Sequence, residues 1–150
     1  VIRGGRLRIA VSAARAPGEV LEDLCRELLW LADREPGECE TTLLVHPWAL
    51  ADFAEFNEFL GDCDRAVAGL GLEGILQVAS FHPRYQFAGT HPDDISNCTN
   101  RSPYPMLHLL REDSIAEAVE AGADAEAICS ANIQRLEALG AEGWARLWRA

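Results

Sequence analysis

Lysine is absent from the 150 residues, and all thirteen basic side chains are arginine. The absence excludes a phosphate loop ending in Gly-Lys, a Schiff-base amine and a lysine general base. Arginine stays protonated in proteins, so these basic groups can hold anions but cannot shuttle protons. Positive charge is scarce as well: thirteen arginines stand against 24 carboxylates, for a net charge of −11. A chain that acidic lacks the basic footprint a nucleic-acid module needs to neutralise phosphates. Long apolar runs are missing too. Uncharged stretches such as Ile75 to Pro83 are far too short to cross a bilayer, so no membrane is expected as a partner. Cysteine is present five times, at 25, 39, 63, 98 and 129, without a C-x-x-C pair. That scatter fits neither a zinc knuckle nor a secreted disulfide framework, and a reducing cytoplasm is the expected compartment. There is no G-x-S-x-G elbow, and Gly69, Gly71 and Gly74 follow a helical pattern instead of opening one, the wrong context for a dinucleotide fingerprint.

The composition that remains, 49% apolar and 25% charged, is that of a globular protein, and the length suits a single domain over 1–150. The chain begins with valine, and an upstream N-terminal segment is expected to be missing. Arg6 to Ser12 alternates as a first strand, with Leu7, Ile9 and Val11 on one face and Arg6 and Arg8 on the other. Pro17-Gly18 opens a helix to about Asp33 whose apolar positions recur every three or four residues. Thr41 to Val45 is a short β-branched run ending at His46-Pro47. A second helical pattern, roughly Leu50 to Leu70, sets Phe53, Phe56, Leu60, Cys63 and Val67 along one stripe. The opposite face carries Asp52, Glu55, Glu58 and Asp62, most simply a solvated face. Gly74 to Phe81 is a third strand, and it also stops at a His-Pro pair, His82-Pro83.

Strand, helix, strand, helix, strand with short joints predicts an α/β fold: a small mainly parallel sheet, β-α-β-α-β, followed by a helical C-terminal third. A ferredoxin-like α+β arrangement, with an edge strand drawn from the loop, is the alternative. In the parallel arrangement, crossover handedness puts both His-Pro pairs at the same, carboxyl edge of the sheet. The 21 residues from Pro83 to Pro103 have neither helical nor strand period. Helical structure is expected to resume at Met106 to Leu110, then from Ser114 to about Gly122. A further helix is capped by Asp124, and a last turn or two carries Trp144 and Trp148. Residues 35–81 hold one arginine against nine carboxylates, whereas residues 82–102 hold two of each. The loop is a neutral window in an acidic body.

Open α/β sheets bind ligands at the carboxyl ends of their strands, which makes His46 and His82 the leading candidates for acid/base chemistry. With Asp93 or Asp94 they could form a His-His-carboxylate site for a divalent metal; equally, His-Pro is a strand terminator and one of the two aspartates a helix cap. His108 could be a third imidazole at the edge, or a helix histidine bonded to Glu112. Arg84 and Arg101 flank the loop and could clamp a small anionic ligand, or pair internally with Asp93 and Asp94. Cys98 is the one cysteine placed to be tested as a nucleophile.

Three irregular blocks add to this reading. They are Thr41-Thr42-Leu43-Leu44-Val45-His46-Pro47-Trp48, the run Ser80-Phe81-His82-Pro83-Arg84-Tyr85-Gln86-Phe87-Ala88-Gly89-Thr90, and the run from Asn100-Arg101-Ser102-Pro103-Tyr104-Pro105 through His108 to Glu112. Together the chain from about Arg6 to Leu139 resembles a bacterial family, domain-of-unknown-function family 1415. The resemblance implies no activity, but it implies that His46, His82, Arg84, Tyr85, Asp93, Asp94, Asn100, Arg101 and His108 belong to the family pattern. The family's upstream Leu-Cys-Pro-Phe-like stretch has no counterpart here.

Two functions of different class follow as expectations. One is an enzyme acting on a small anionic metabolite, with His46, His82 and His108 as acid/base groups and Arg84, Tyr85, Asn100 and Arg101 holding the ligand. The other is a non-catalytic small-molecule-binding or protein-interaction domain whose polar loop is internally satisfied. The oligomeric state is not legible in the sequence.

Overall fold

The computed structural model describes residues 6–120 and 125–147. The expected helix capped by Asp124 and the turn at Trp148 fall partly outside them. Strand β1 (Leu7–Val11) leads into helix α1 (Pro17–Ala32), strand β2 (Thr41–Val45), helix α2 (Phe53–Gly69) and strand β3 (Leu76–Phe81). A 3-10 turn over Ile95–Asn100 precedes strand β4 (Met106–Arg111), helix α3 (Glu112–Glu120) and helix α4 (Ala125–Leu147). Local chemistry explains the helix starts. Pro17 sits in the first turn of α1, where its missing N–H costs nothing, and Glu19 accepts from the Arg15 and Ala16 amides. Asp52 caps α2 by accepting from the amides of Ala54 and Glu55.

The sheet order is β1-β2-β4-β3, and it is mixed: β1 and β2 are parallel, while β4 runs antiparallel to both β2 and β3. This overturns the expected mainly parallel β-α-β-α-β sheet. It also departs from the ferredoxin-like alternative, because the additional strand lies inside the sheet and not at its edge. The segment expected to be helical, Met106 to Leu110, is that strand. Its burial alternates, with Leu107, Leu109 and Arg111 buried and Met106, His108 and Leu110 half-buried between them. Two neighbouring strands supply every ladder partner, and that tertiary pairing outweighs the helix preference of a Met- and Leu-rich run.

Although β2 and β3 are not adjacent, both run antiparallel to β4, so they point the same way. Val45 and Phe81 lie opposite the same residue, Met106. His46 and His82 therefore leave the sheet at one edge, one on each side of the start of β4. Helices α1 and α2 pack against each other and cover one sheet face. The core lies between them and the sheet, from Leu24, Leu28 and Leu31 through Phe56 and Cys63 to Leu44, Leu107 and Leu109. On the opposite face β1 leaves Leu7, Ile9 and Val11 exposed. Helix α4 packs against the 3-10 turn, and it bends at Gly140, whose φ of 66° is one that glycine tolerates and other residues resist. No helix among the described residues is long and apolar enough to cross a membrane.

Candidate functional site

The two strand-end histidines are wholly buried. His82 is bonded at both ring nitrogens: Nε2–H donates to the Leu50 carbonyl at 3.2 Å, and Nδ1 accepts from the Arg84 amide at 3.0 Å. That pattern requires the neutral Nε2–H tautomer. His46 donates from Nδ1–H to the Ala49 carbonyl at 3.2 Å, and its Nε2 lies buried without a partner among the described residues. Phe56 stacks with both rings, at 5.8 Å from His46 and 5.1 Å from His82. Burial lowers the pKa of each below the ordinary histidine value, since neither pocket can solvate an imidazolium.

These partners share a theme. Three consecutive carbonyls of the loop between β2 and α2, those of Ala49, Leu50 and Ala51, accept from His46, His82 and Arg84 in turn. Arg84 also reaches Asp52 at 3.3 Å, so it ties the loop to the cap of α2. Leu50 has a φ of 58°, a left-handed conformation costly for a leucine, while its side chain is buried and its carbonyl is held by His82. The Asp52 carboxyl sits below the usual range because the Glu55 amide donates to it first, with Ala54 and Arg84 adding to the effect.

The other ligand-binding candidates hold the longer loop. Asn100 donates to the Ser80 carbonyl and accepts the His82 amide on its own carbonyl. Tyr85 packs edge-on against Phe87 and tilted against Phe53. Arg101 donates from Nε to the Tyr85 carbonyl at 3.2 Å and from Nη2 to the Pro92 carbonyl at 2.6 Å. Thus Arg84 and Arg101 are anchored internally, though on carbonyls and Asp52, not on Asp93 and Asp94. Asp94 caps the 3-10 turn by accepting from the Ser96 amide; the Ser96 hydroxyl first and then that amide lower its pKa, and Asp93 is exposed beside His91. No group of three His, Cys, Asp or Glu among the described residues is arranged to hold a metal ion. His46, His82, Asp93 and Asp94 are therefore not gathered into one coordination set.

His108 lies on β4, on the sheet face away from α1 and α2, opposite Leu43 and Ala79. The Thr41 hydroxyl donates to the Leu109 carbonyl, so His108 Nε2–H donates to Thr41 Oγ1 at 2.8 Å. The helical contact with Glu112 expected for it is not formed, because along an extended strand four residues span about 13 Å and not one helical turn, and Glu112 already belongs to α3. Cys98 is buried beside Arg101, and burial pushes its thiol up, away from nucleophile chemistry.

Two features escape a reading by residue type. Asn97 is fully buried and organises the loop, accepting from the Phe87 amide and the Thr90 hydroxyl and donating to the His91 carbonyl. Its position between Asp94 and Asn100 in a polar run gave no signal to separate it from its neighbours. A cleft of about 350 Å³ opens on the outer side of the loop, lined by Pro83, Arg101, Ser102, Pro103 and Trp144. Only the long-range approach of α4 brings Trp144 there.

No curated protein and no solved structure matches the chain. A family model matches residues 1–146, and the chain belongs to the family described as protein of unknown function (DUF1415).

Proposed function

We propose that this chain is a non-catalytic small-molecule-binding domain in which the strand-end histidines and loop arginines form a rigid scaffold for the binding surface. The observation that carries the reading is the bonding of His82: fully buried, neutral, and committed at both nitrogens to backbone partners. A general acid or base must reach a substrate proton with a free nitrogen, and His82 offers none. Four cysteines, Cys25, Cys39, Cys63 and Cys98, are free, which supports a cytoplasmic setting.

A second reading, an enzyme on a small anionic metabolite, draws on one observation, the unpartnered Nε2 of His46 next to the left-handed Leu50. The two readings separate on His82→Ala. Removing a buried ring with two hydrogen bonds costs about 2–4 kcal/mol, because the Leu50 carbonyl and Arg84 amide lose their partners. The melting temperature is expected to fall by roughly 5–12 °C, while His91→Ala, at an exposed position, moves it by no more than about 2 °C. A His82→Ala protein that melts like the parent overturns the scaffold reading and returns the residue to chemistry.

A further inference from the structure

Most arginines with a described partner on this surface face a carboxylate. Arg6, Arg8, Arg26, Arg34, Arg65, Arg84 and Arg146 each have one within 4 Å. Arg101 does not. Half-buried in the wall of the cleft, its guanidinium is held by two backbone carbonyls, which orient it without neutralising it. These carbonyls occupy Nε and Nη2, the buried Cys98 thiol lies against the guanidinium, and no carboxylate among the described residues reaches it. A partly desolvated cation with no counterion among the described residues is a fixed receptor for an anion. Around it the walls are mainly apolar, Pro83 and Pro103 in the loop and Trp144 from α4, with Ser102 beside them donating its hydroxyl to the Tyr104 carbonyl.

We infer that the cleft between Pro83, Arg101, Pro103 and Trp144 binds a small organic carboxylate with a flat apolar body, its carboxylate on Arg101 and its ring against Trp144 and the prolines. The shape and chemistry of the walls favour this class over a bare inorganic anion. A ring seated on prolines and an indole gains apolar burial that phosphate or acetate cannot. Carbonyl anchoring of Nε and Nη2 means that little side-chain entropy is lost when the anion arrives. The inference rests on the non-catalytic reading in treating the loop as rigid. That rigidity is tested by the melting of His82→Ala, whereas the ligand class is tested by titration, so either can fail alone.

Benzoate is the probe, followed by NMR on the Trp144 indole N–H resonance, which is assigned with Trp144→Phe. Benzoate is expected to shift that resonance saturably, with acetate and inorganic phosphate binding at least about tenfold more weakly. Arg101→Gln is expected to weaken benzoate at least about tenfold through loss of the charge-assisted contact. Because that substitution also loosens the loop, Pro103→Glu is the second variant. It leaves both carbonyl bonds of Arg101 in place and puts a carboxylate into the cleft, so benzoate binding should be lost in a protein that melts no lower than the parent. No saturable shift with benzoate overturns the inference, as does unchanged affinity in Pro103→Glu. Equal affinity for benzoate and acetate removes the apolar half of the site and overturns the ligand class.

Discussion

Histidine is the residue on which the site turns, and its protonation makes the burial measurable. His46 and His82 have pKa values lowered by burial, while in the unfolded chain they titrate near 6.5. Above pH 6.5 both states are neutral and these groups add no pH dependence. Below it the unfolded chain takes up protons that the native state refuses, so stability falls as pH drops from 6.5 toward the folded values. Each histidine contributes up to about 1.4 kcal/mol per pH unit in that window. Asp52 and Asp94, both shifted down, lose their share only at lower pH and do not confound the measurement. Urea midpoints are therefore expected to decline between pH 6.5 and 5, with the decline reduced in His46→Gln. A flat profile would mean that imidazolium is tolerated at the strand ends. The residues themselves were legible in the sequence, because His-Pro at two strand ends is a conspicuous pair. Their hydrogen bonds were not, since the acceptors are carbonyls of a loop whose path no residue type announces.

At the scale of the element, the informative case is β4. Met106 to Leu110 reads as helix because helical spacing sets His108 and Arg111 on one face and the leucines on the other, whereas in the strand Arg111 falls in the inward phase with Leu107 and Leu109. Inside the protein that arginine is buried and has a specific task. Its guanidinium donates to the carbonyls of Leu31, in the last turn of α1, and of Arg34 and Cys39 in the segment that follows, so it ties the end of the helix to the sheet. No carboxylate pairs with it among the described residues. Arg111→Met would keep the apolar stem and take the guanidinium away from those carbonyls, at a cost of about 2–4 kcal/mol. Arg111→Lys should recover only part of that, because an ammonium cannot span the same acceptors with a planar fork. Urea unfolding of both variants checks the order parent, Lys, Met; equal stability of Met and parent would remove the anchoring role. Helices α1 and α2 were legible from their periodicity and caps, which are local. The central position of β4 depends on pairing with β2 across 61 to 69 residues, visible only in the register.

Over the whole molecule, the same inversion decides which side of the sheet is inside. The alternation of β1 separates Leu7, Ile9 and Val11 from Arg8 and Ala10, and hydrophobicity alone would bury the first set. The fold turns the second toward the helices and half-buries it. Two crossovers step the same way across the sheet, so α1 and α2 share one face, and Arg8 enters it because partners wait there. Glu27 on α1 accepts from Arg8 at 2.7 and 3.0 Å, and the Trp30 ring lies 4.4 Å from its guanidinium carbon. The apolar set is left on the open side of an edge strand, with Ile9 60% and Val11 63% exposed. Lysine, the usual guard of such an edge, is the residue this chain lacks. Installing it gives a direct test of which face is open. Ile9→Lys and Val11→Lys should each change stability by no more than about 0.5 kcal/mol, since the long stem can lie along the sheet and the ammonium reach water. Leu109→Ala, on the covered face, should cost about 2–5 kcal/mol. A loss at Ile9 or Val11 as large as that at Leu109 would show that β1 is covered in solution and would reverse the assignment of the two faces.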